Sequence, residues 1–436
     1  MTRRQRRYIF YFFILVFLLF GTGVVFFAKG WRFDFKTVVF KKVGAIYVRT
    51  FPENTSLTLD DNPVKTQSGF FQSGTLINNL FPKTHILSIS ASGFHPWQRK
   101  VEVLPALVTE VKYAVLVPQQ TELVLQGPLT DFWLAQGEIL TRNNKNELSW
   151  RGQKIPGADV LGFTNNERRL LVKDAKNTLF WVNLDEVTWL NLSSRLSLLL
   201  PKENFNLFVD PFQDNKVLVK RDRSLAVFDI QRNTLKALTP TSTLLLGPAD
   251  ASRFWVAWTV FDPKAKVSKL MRYDKFLERG SDTLQTLPGK TKKLAWAENS
   301  TLGILEDDGS FYLYNVESNS TSKLASDVLD FSFNENGDMV AALESKGIEV
   351  FSFRGEKDYW RFKLPPNHKI TALNWYKDDH HLFLVYEDKA VFLELDDLAQ
   401  ENLVDLSGRK AKYDPDSNRL YLISRESLLS ASFPKP

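Results

Sequence analysis

Seven aromatic residues recur along the C-terminal three quarters of this chain, and their spacing constrains the fold more than any other feature. Phe163, Phe212, Trp255, Trp296, Phe333, Trp375 and Tyr413 follow one another at intervals of 49, 43, 41, 37, 42 and 38 residues. Each marks a unit with the same plan: apolar residues ending in an aromatic, a polar turn, a short apolar run, another turn, then alternation. Leu294-Ala295-Trp296, Thr301-Leu302-Gly303-Ile304-Leu305 and Phe311-Tyr312-Leu313-Tyr314 make one copy; Phe331-Ser332-Phe333, Met339-Val340-Ala341-Ala342-Leu343 and Ile348-Glu349-Val350-Phe351 make the next. Such a unit cannot bury its apolar faces alone, and a period near ~40–45 residues with about four strands per unit is the spacing of β-propeller blades.

One further unit, Asp131 to Lys154, precedes Phe163, so the repeat predicts seven or eight blades over residues 118–436. The longest interval holds Glu186 to Pro201, read as an insertion. The last unit runs out at Phe433 and lacks an outer strand, which Glu122-Leu123-Val124-Leu125 is placed to supply. Pairing the first segment with the last unit would remove an exposed edge. An array of β-sandwiches is the competing architecture. The markers loosely resemble those of WD-like and TolB-like propellers, although the Gly-His and Trp-Asp signatures of true WD repeats are missing.

The N-terminal end has a different composition. Arg3, Arg4, Arg6 and Arg7 precede an uncharged apolar run from Tyr8 to Ala28. About 20 such residues make a helix of ~30 Å, the thickness of a bilayer's hydrocarbon core. A cleaved signal peptide would carry a shorter apolar core of ~7–15 residues and a small-x-small site. The expectation is therefore an uncleaved single-pass anchor: a basic cytoplasmic tail over 1–7, a transmembrane helix over 8–28, and a juxtamembrane linker over 29–43. Lys29, Arg32, Lys36, Lys41 and Lys42 follow the span, so flanking charges are nearly balanced. The short Arg-rich tail favours a cytoplasmic N-terminus and an extracytoplasmic remainder. A cytoplasm-facing scaffold is the reverse topology. Trp31, Phe33 and Phe35 suit a headgroup belt.

Charge follows the same division. Residues 1–43 carry nine Arg or Lys and one Asp; the rest of the chain carries 47 of the 56 basic and 49 of the 50 acidic residues. The region beyond the anchor has no basic excess to drive nucleic-acid binding. The sequence contains no cysteine, which removes disulfides, thiolate metal sites and thiol nucleophiles.

Residues 44–117 read as a small all-β sandwich. Ser56-Leu57-Thr58-Leu59-Asp60 and His85-Ile86-Leu87-Ser88-Ile89-Ser90 alternate with period two, as half-buried strands require. Here Phe51-Pro52-Glu53-Asn54-Thr55, Leu57-Thr58-Leu59-Asp60-Asp61, Leu80-Phe81-Pro82-Lys83-Thr84-His85-Ile86 and Ser92-Gly93-Phe94-His95-Pro96-Trp97 resemble, in order and spacing, the PEGA domain. Asn54-Thr55, Asp61, Lys83 and Phe94 depart from its pattern. The resemblance implies a non-catalytic, surface-exposed sandwich in which Pro52, Asp60, Pro82, Gly93 and Trp97 are structural, and the whole layout resembles membrane-anchored PEGA proteins of bacteria. Gly93 suits a left-handed turn position.

Catalytic motifs are sparse. Asp378-Asp379-His380-His381 is the one cluster with metal-ligand chemistry, but it falls in the hairpin slot of a blade and reads as a solvated turn. Asp414-Pro415-Asp416-Ser417-Asn418 begins like a calcium loop but lacks its glycine and its twelfth-position glutamate. Asp307-Asp308-Gly309 and Asp396-Asp397 read as turn acids. Sequons begin at Asn54, Asn191, Asn299 and Asn319. No cofactor or metal is expected. The functional expectation is a non-catalytic envelope protein binding a protein or glycan partner, with Trp133, Trp150, Trp181 and Trp189 as blade core or interaction anchors. The alternative is a propeller hydrolase or lyase acting on envelope polysaccharide.

Overall fold

The computed structural model describes residues 3–35, 37–65, 74–200, 204–239, 244–280, 283–298, 300–353, 359–363, 369–395 and 403–435. Lys36, Asn299, Pro201 and Asp396-Asp397 lie outside the described residues. The chain divides into two units, residues 1–121 with 398–404 and 431–436, and residues 122–397 with 405–430.

In the first unit the α-helix Arg3–Ala28 carries the apolar run, and none of its described residues is buried. It is long and apolar enough to cross a membrane. The stretch expected to be a linker forms a short antiparallel hairpin, Trp31–Asp34 against Val39–Lys42. A sandwich follows. Gly44–Phe51 lies between Thr75–Leu80 (antiparallel) and Val108–Val115 (parallel). The facing sheet runs Asn62–Val64, Ser56–Leu59, Thr84–Ser90, Trp97–Glu102. Ile46, Val48, Val111 and Ala114 from one sheet meet Leu57, Leu87, Ile89, Trp97 and Val101 from the other in one core. Each buried Val, Leu or Ile among them contributes about 1.5–3 kcal/mol. The alternation that predicts Ser56–Leu59 and Thr84–Ser90 is what puts these leucines and isoleucines on the inner face.

The second unit is propeller-like. Between Glu122 and Ser432 the described residues form eight successive antiparallel sheets, seven of four strands and one of five. In the first, Leu129–Ala135, Glu138–Asn143, Leu148–Trp150 and Gln153–Ile155 lie side by side. Later sheets begin at Asp159, Asn206, Leu245, Thr291, Val328, Ile370 and Arg409. The eighth is composite: Arg409–Asp414, Arg419–Ser424 and Ser427–Ser432 come from the end of the chain, and Glu122–Leu125 pairs with Ser427–Ser432 as its fourth strand.

Cores lie between consecutive sheets. Leu140 and Trp150 pack with Leu170 and Val182, Val256 and Trp258 with Leu218 and Leu225, and Phe311 with Phe331. Tyr376 and Phe383 of the seventh sheet's region meet Tyr413 of the eighth at ring separations of 5.0 and 5.3 Å. Leu129 and Phe132 of the first sheet share a core with Tyr421, Ile423 and Leu428 of the eighth.

A feature that the sequence pattern does not announce recurs in the first strand of seven of these sheets. Its register slips near the start, at Leu129/Asp131, Val160/Gly162, Leu246/Ala249, Thr291/Lys293, Val328/Asp330, Ile370/Ala372 and Arg409/Lys412. A bulge bends its strand and increases local twist. The third sheet, Asn206–Val209 against Lys216–Arg221, keeps an unbroken register.

The segment Glu186–Pro201 holds an extra element, the helix Leu192–Leu199, capped where the Asn191 side chain accepts from Ser194 N. Leu192 and Leu196 enter the core between the second and third sheets.

Candidate functional site

The markers do not all occupy one structural position. Phe163, Phe333 and Trp375 end the first strands of their sheets, and Trp296 and Tyr413 stand next to last. Phe212 instead lies in the turn after Asn206–Val209, and Trp255 opens the second strand of its sheet. In those two repeats the first strand ends in Val209 and Ala251, so the nearest aromatic belongs to a later element.

Phe333, Trp375 and Tyr413 are brought together. With Ser332, Glu335, Tyr376, Lys377 and Asp379 they line a cavity of about 260 Å3. Trp375 Nε1 donates to Ser332 O at 3.1 Å, and Asn334 Nδ2 donates to Asp379 Oδ1 at 3.0 Å. Burial pushes the Tyr376 and Tyr413 phenols well above their usual range, so both stay protonated. The Tyr413 hydroxyl pairs with Asn418 Oδ1.

The expectation of a solvated turn is overturned at His381. It opens the strand His381–Tyr386, is 1% exposed, stacks on Phe392 with centroids 4.6 Å apart, and its Nδ1 lies 2.8 Å from Asp378 Oδ2. Alternation along the strand turns this ring into the core, where its apolar faces are covered and a buried carboxylate meets its polar edge. Among the described residues no group of three or more His, Asp or Glu is arranged to hold a metal ion. In the turn at Asp414, the carboxylate accepts from Asp416 N at 3.1 Å and from Ser417 Oγ at 2.5 Å.

A larger cavity, about 380 Å3, opens among the third, fourth and fifth sheets. Asn204, Phe205 and Asn206 line one side, Lys220, Arg221 and Asp222 the next, and Leu245, Leu246, Gly247, Thr259, Phe261, Ser268, Lys290 and Thr291 the remainder. Local structure explains the polar floor. The bulge near Gly247 leaves Thr259 without a register partner on that strand. A Cβ at Gly247 would sit 2.3 Å from Thr259 Oγ1, so glycine leaves the room this hydroxyl needs. Thr259 and Thr291 are 0% and 4% exposed, and their hydroxyls have no hydrogen-bond partner. Ser268 Oγ donates to Gly289 O at 2.6 Å and accepts from Thr291 N at 3.2 Å, which pins that wall.

Three cations against one carboxylate give this lining a positive character. Burial lowers the Lys220 pKa, with the Asp222 charge opposing. Lys290 reaches Asp307 only at 3.7 Å. Cations, side-chain amides and hydroxyls beside two phenylalanine rings can hold a polar, anionic ligand without covalent chemistry. Sequence reasoning missed this cavity because its residues come from three different repeats.

Trp150 and Trp181 are buried, Trp133 is half-buried, and Trp189 is 52% exposed. Asp60 Oδ2 receives Lys83 Nζ at 2.7 Å and faces His85 Nδ1 at 2.9 Å, while Oδ1 accepts from Ile86 N at 2.9 Å. Gly93 has φ +83° with open space around its Cα; its carbonyl accepts from Gln119 N, while His95 N donates to Val117 O, which ties this corner to the segment leaving the sandwich. Trp97 is core, Pro52 follows Phe51 at the end of the strand Gly44–Phe51, and Pro82 sits between Thr75–Leu80 and Thr84–Ser90. Arg3, Arg4, Arg6 and Arg7 are exposed on the first turns of the N-terminal helix.

No family model matches the chain, and no curated protein matches it. Solved structures do. An oligogalacturonate lyase in complex with manganese aligns with TM-score 0.45 at 13% identity, covering 72% of this chain and 99% of that one. The oligogalacturonate lyase of Vibrio parahaemolyticus aligns with TM-score 0.44 at 11% identity, with the same coverage. The β-propeller domain of Swd1 from Myceliophteria thermophila aligns with TM-score 0.43 at 12% identity, covering 66% of this chain and 99% of that one. Likenesses this distant carry no activity across.

Proposed function

We propose that this chain is a membrane-anchored binding protein of the cell envelope. The N-terminal helix serves as a single-pass anchor with its Arg-rich end in the cytoplasm. The PEGA-type sandwich serves as a spacer. The eight sheets form a closed eight-bladed propeller that presents a ligand site to a protein or glycan partner, without catalysis. Support for closure comes from the composite eighth sheet and from the core that Leu129 and Phe132 share with Tyr421, Ile423 and Leu428. The anchor reading rests on a 26-residue apolar helix with no buried residue.

The observation that carries the binding role is the cavity among the third to fifth sheets. Its lining brings three cations, two unpartnered hydroxyls and two aromatic rings to one place with a single carboxylate, Asp222. Glycoside hydrolysis by the usual route needs two carboxyl groups flanking the bond, so this lining suits capture better than cleavage. Glycan components with acidic groups fit its charge.

The test is capture from envelope extract by the full-length chain in lipid nanodiscs, with bound protein and glycan both identified. A saturable partner that is lost in a Lys220→Ala, Thr291→Val variant supports the reading. Turnover of an envelope polymer in the same extract, with nothing retained, replaces it with a propeller hydrolase or lyase. Protease treatment of intact cells checks the orientation: an inverted protein would be cut only after lysis.

A further inference from the structure

The hairpin that follows the N-terminal helix is built unlike a linker. Trp31 pairs with Lys42, Phe33 with Phe40 and Asp34 with Val39. Its turn and second strand leave apolar side chains uncovered: Phe35 is 85%, Val38 71% and Phe40 60% exposed. Phe33 meets both Phe35 and Phe40 edge-on, at 5.0 and 5.1 Å, so the aromatic residues form one cluster. Single exposed apolar residues are ordinary, but a contiguous group on a short hairpin marks an interaction surface.

The hairpin is also fixed to the helix end. Val43 N donates to Gly30 O at 2.9 Å, which closes the hairpin base onto the residue after the last turn. Arg32 Nη1 donates to Phe27 O at 2.8 Å, its guanidinium lies 3.6 Å from the Phe27 ring centroid, and Nη2 donates to Asn79 Oδ1 at 2.9 Å. Arg32 thus caps a carbonyl of the helix C-terminus, where positive charge is favourable, and ties it to the sandwich. Trp31 packs against Phe26 at 6.0 Å, and Lys42 stands 5.6 Å over the Trp31 ring. Whatever surrounds the last turn of the helix therefore surrounds the hairpin base.

We infer that this hairpin lies in the bilayer interface, its aromatic and aliphatic tip seated at the headgroup–acyl boundary and Lys29 and Lys42 set against anionic lipid headgroups. The inference rests on reading the N-terminal helix as a membrane span and adds a second membrane contact to it. Aromatic residues flanked by cations are favoured at that depth, and each Lys or Arg near an anionic surface strengthens attachment. A lipid surface is the committed occupant because the helix end delivers the hairpin there covalently.

The chain contains no cysteine, so single fluorophores can be placed at will. The full-length protein is reconstituted into phosphatidylcholine vesicles with and without phosphatidylglycerol, carrying a label at Val38→Cys, at Leu18→Cys within the helix, or at Phe276→Cys, an exposed position of the fourth sheet's region. Quenching by lipids brominated near the headgroup is read for the Val38 and Phe276 labels, and by lipids brominated near the acyl-chain end for the Leu18 label. The expected result is strong quenching of the Leu18 label and quenching of the Val38 label about twofold or more above that of the Phe276 label, increasing with phosphatidylglycerol and falling with salt. Quenched Leu18 with Val38 no more quenched than Phe276 overturns the inference and leaves the anchor intact. Unquenched Leu18 overturns the anchor and the inference together. Val38 quenching indifferent to phosphatidylglycerol overturns the role of Lys29 and Lys42.

Discussion

Lys410 Nζ lies 3.1 Å from Asp131 Oδ2, although 279 residues of chain separate the two. Both belong to the first strands of their sheets, the eighth and the first, and both sit at the register slips described above. Asp131 is 8% exposed and also receives Arg142 Nη2 at 3.1 Å. Lys412, pushed down to about 8 by burial, keeps what charge it has through the same carboxylate. Asp131 is the buried centre of this cluster while Lys410 is half-exposed, so removing Asp131 leaves chiefly Arg142 and Lys412 short of a counter-charge. Asp131→Ala is expected to cost about 1–3 kcal/mol in urea unfolding of the detergent-solubilised chain. A loss below about 0.5 kcal/mol, the range of ordinary surface changes, would show that the first and last sheets do not depend on this contact.

Glu306 predicts a pH dependence. It ends the strand Thr301–Glu306, is 1% exposed, and neither carboxyl oxygen has a hydrogen-bond partner. Burial, and then the nearby Asp308 charge, push its pKa up to about 7 against Lys323. The folded protein therefore holds this proton at pH values where the unfolded chain, titrating near 4.5, has released it. Its contribution is complete below about pH 4.5 and is lost as pH rises through 7. Glu306→Gln cannot ionise. Thermal unfolding should find the variant equal to the parent near pH 4 and more stable at pH 8, by about 1–3 kcal/mol. A parallel offset at every pH would sink the assignment.

In the sandwich the sign is opposite. Lys83 most of all, with Ile86 N and His85, lowers the Asp60 pKa to about 2 against the opposing effect of burial. Its stabilisation is present above about pH 4 and disappears as pH falls through 2. The side chain is partly exposed, so solvent screening limits the effect. Asp60→Ala should cost about 1 kcal/mol. Hydrogen exchange at the Ile86 amide, which loses its carboxylate acceptor, should quicken more than exchange at Leu140 in the other unit; equal rates before and after would reject the contact.

Much of this architecture is written in local patterns, and the exceptions have physical reasons. Period-two alternation locates Ser56–Leu59 and Thr84–Ser90 because one face of each is core. The repeat spacing gives the sheets because each carries the same strand and turn plan. It misplaces Phe212 and Trp255 because the first strands there end in Val209 and Ala251, so the periodic aromatic falls in a turn or opens the next strand. His381 reads as a surface turn because its burial depends on Phe392 and Asp378 arriving from a strand and a loop around it. The strand Thr75–Leu80, with Asn78 and Asn79 inside it, has little alternation to reveal it; pairing with Gly44–Phe51 decides its fate. The cavity was the least legible, since Lys220, Thr259 and Thr291 come together only when three sheets pack.

That cavity supplies the last prediction. Lys220 is partly withdrawn from water and its charge is opposed chiefly by desolvation, so an incoming anion would regain for it the stabilisation that burial removes. Thr291 offers a hydroxyl with no internal partner to replace. A ligand captured here should lose about tenfold in affinity on Lys220→Ala, equivalent to ~1.4 kcal/mol, and a smaller factor on Thr291→Val. Binding should weaken with salt in the parent and less so in Lys220→Ala, because the screened cation is then absent. Titration of the partner recovered from envelope extract, at two salt concentrations, checks both statements. Equal affinities in parent and Lys220→Ala would place the binding surface elsewhere on the propeller.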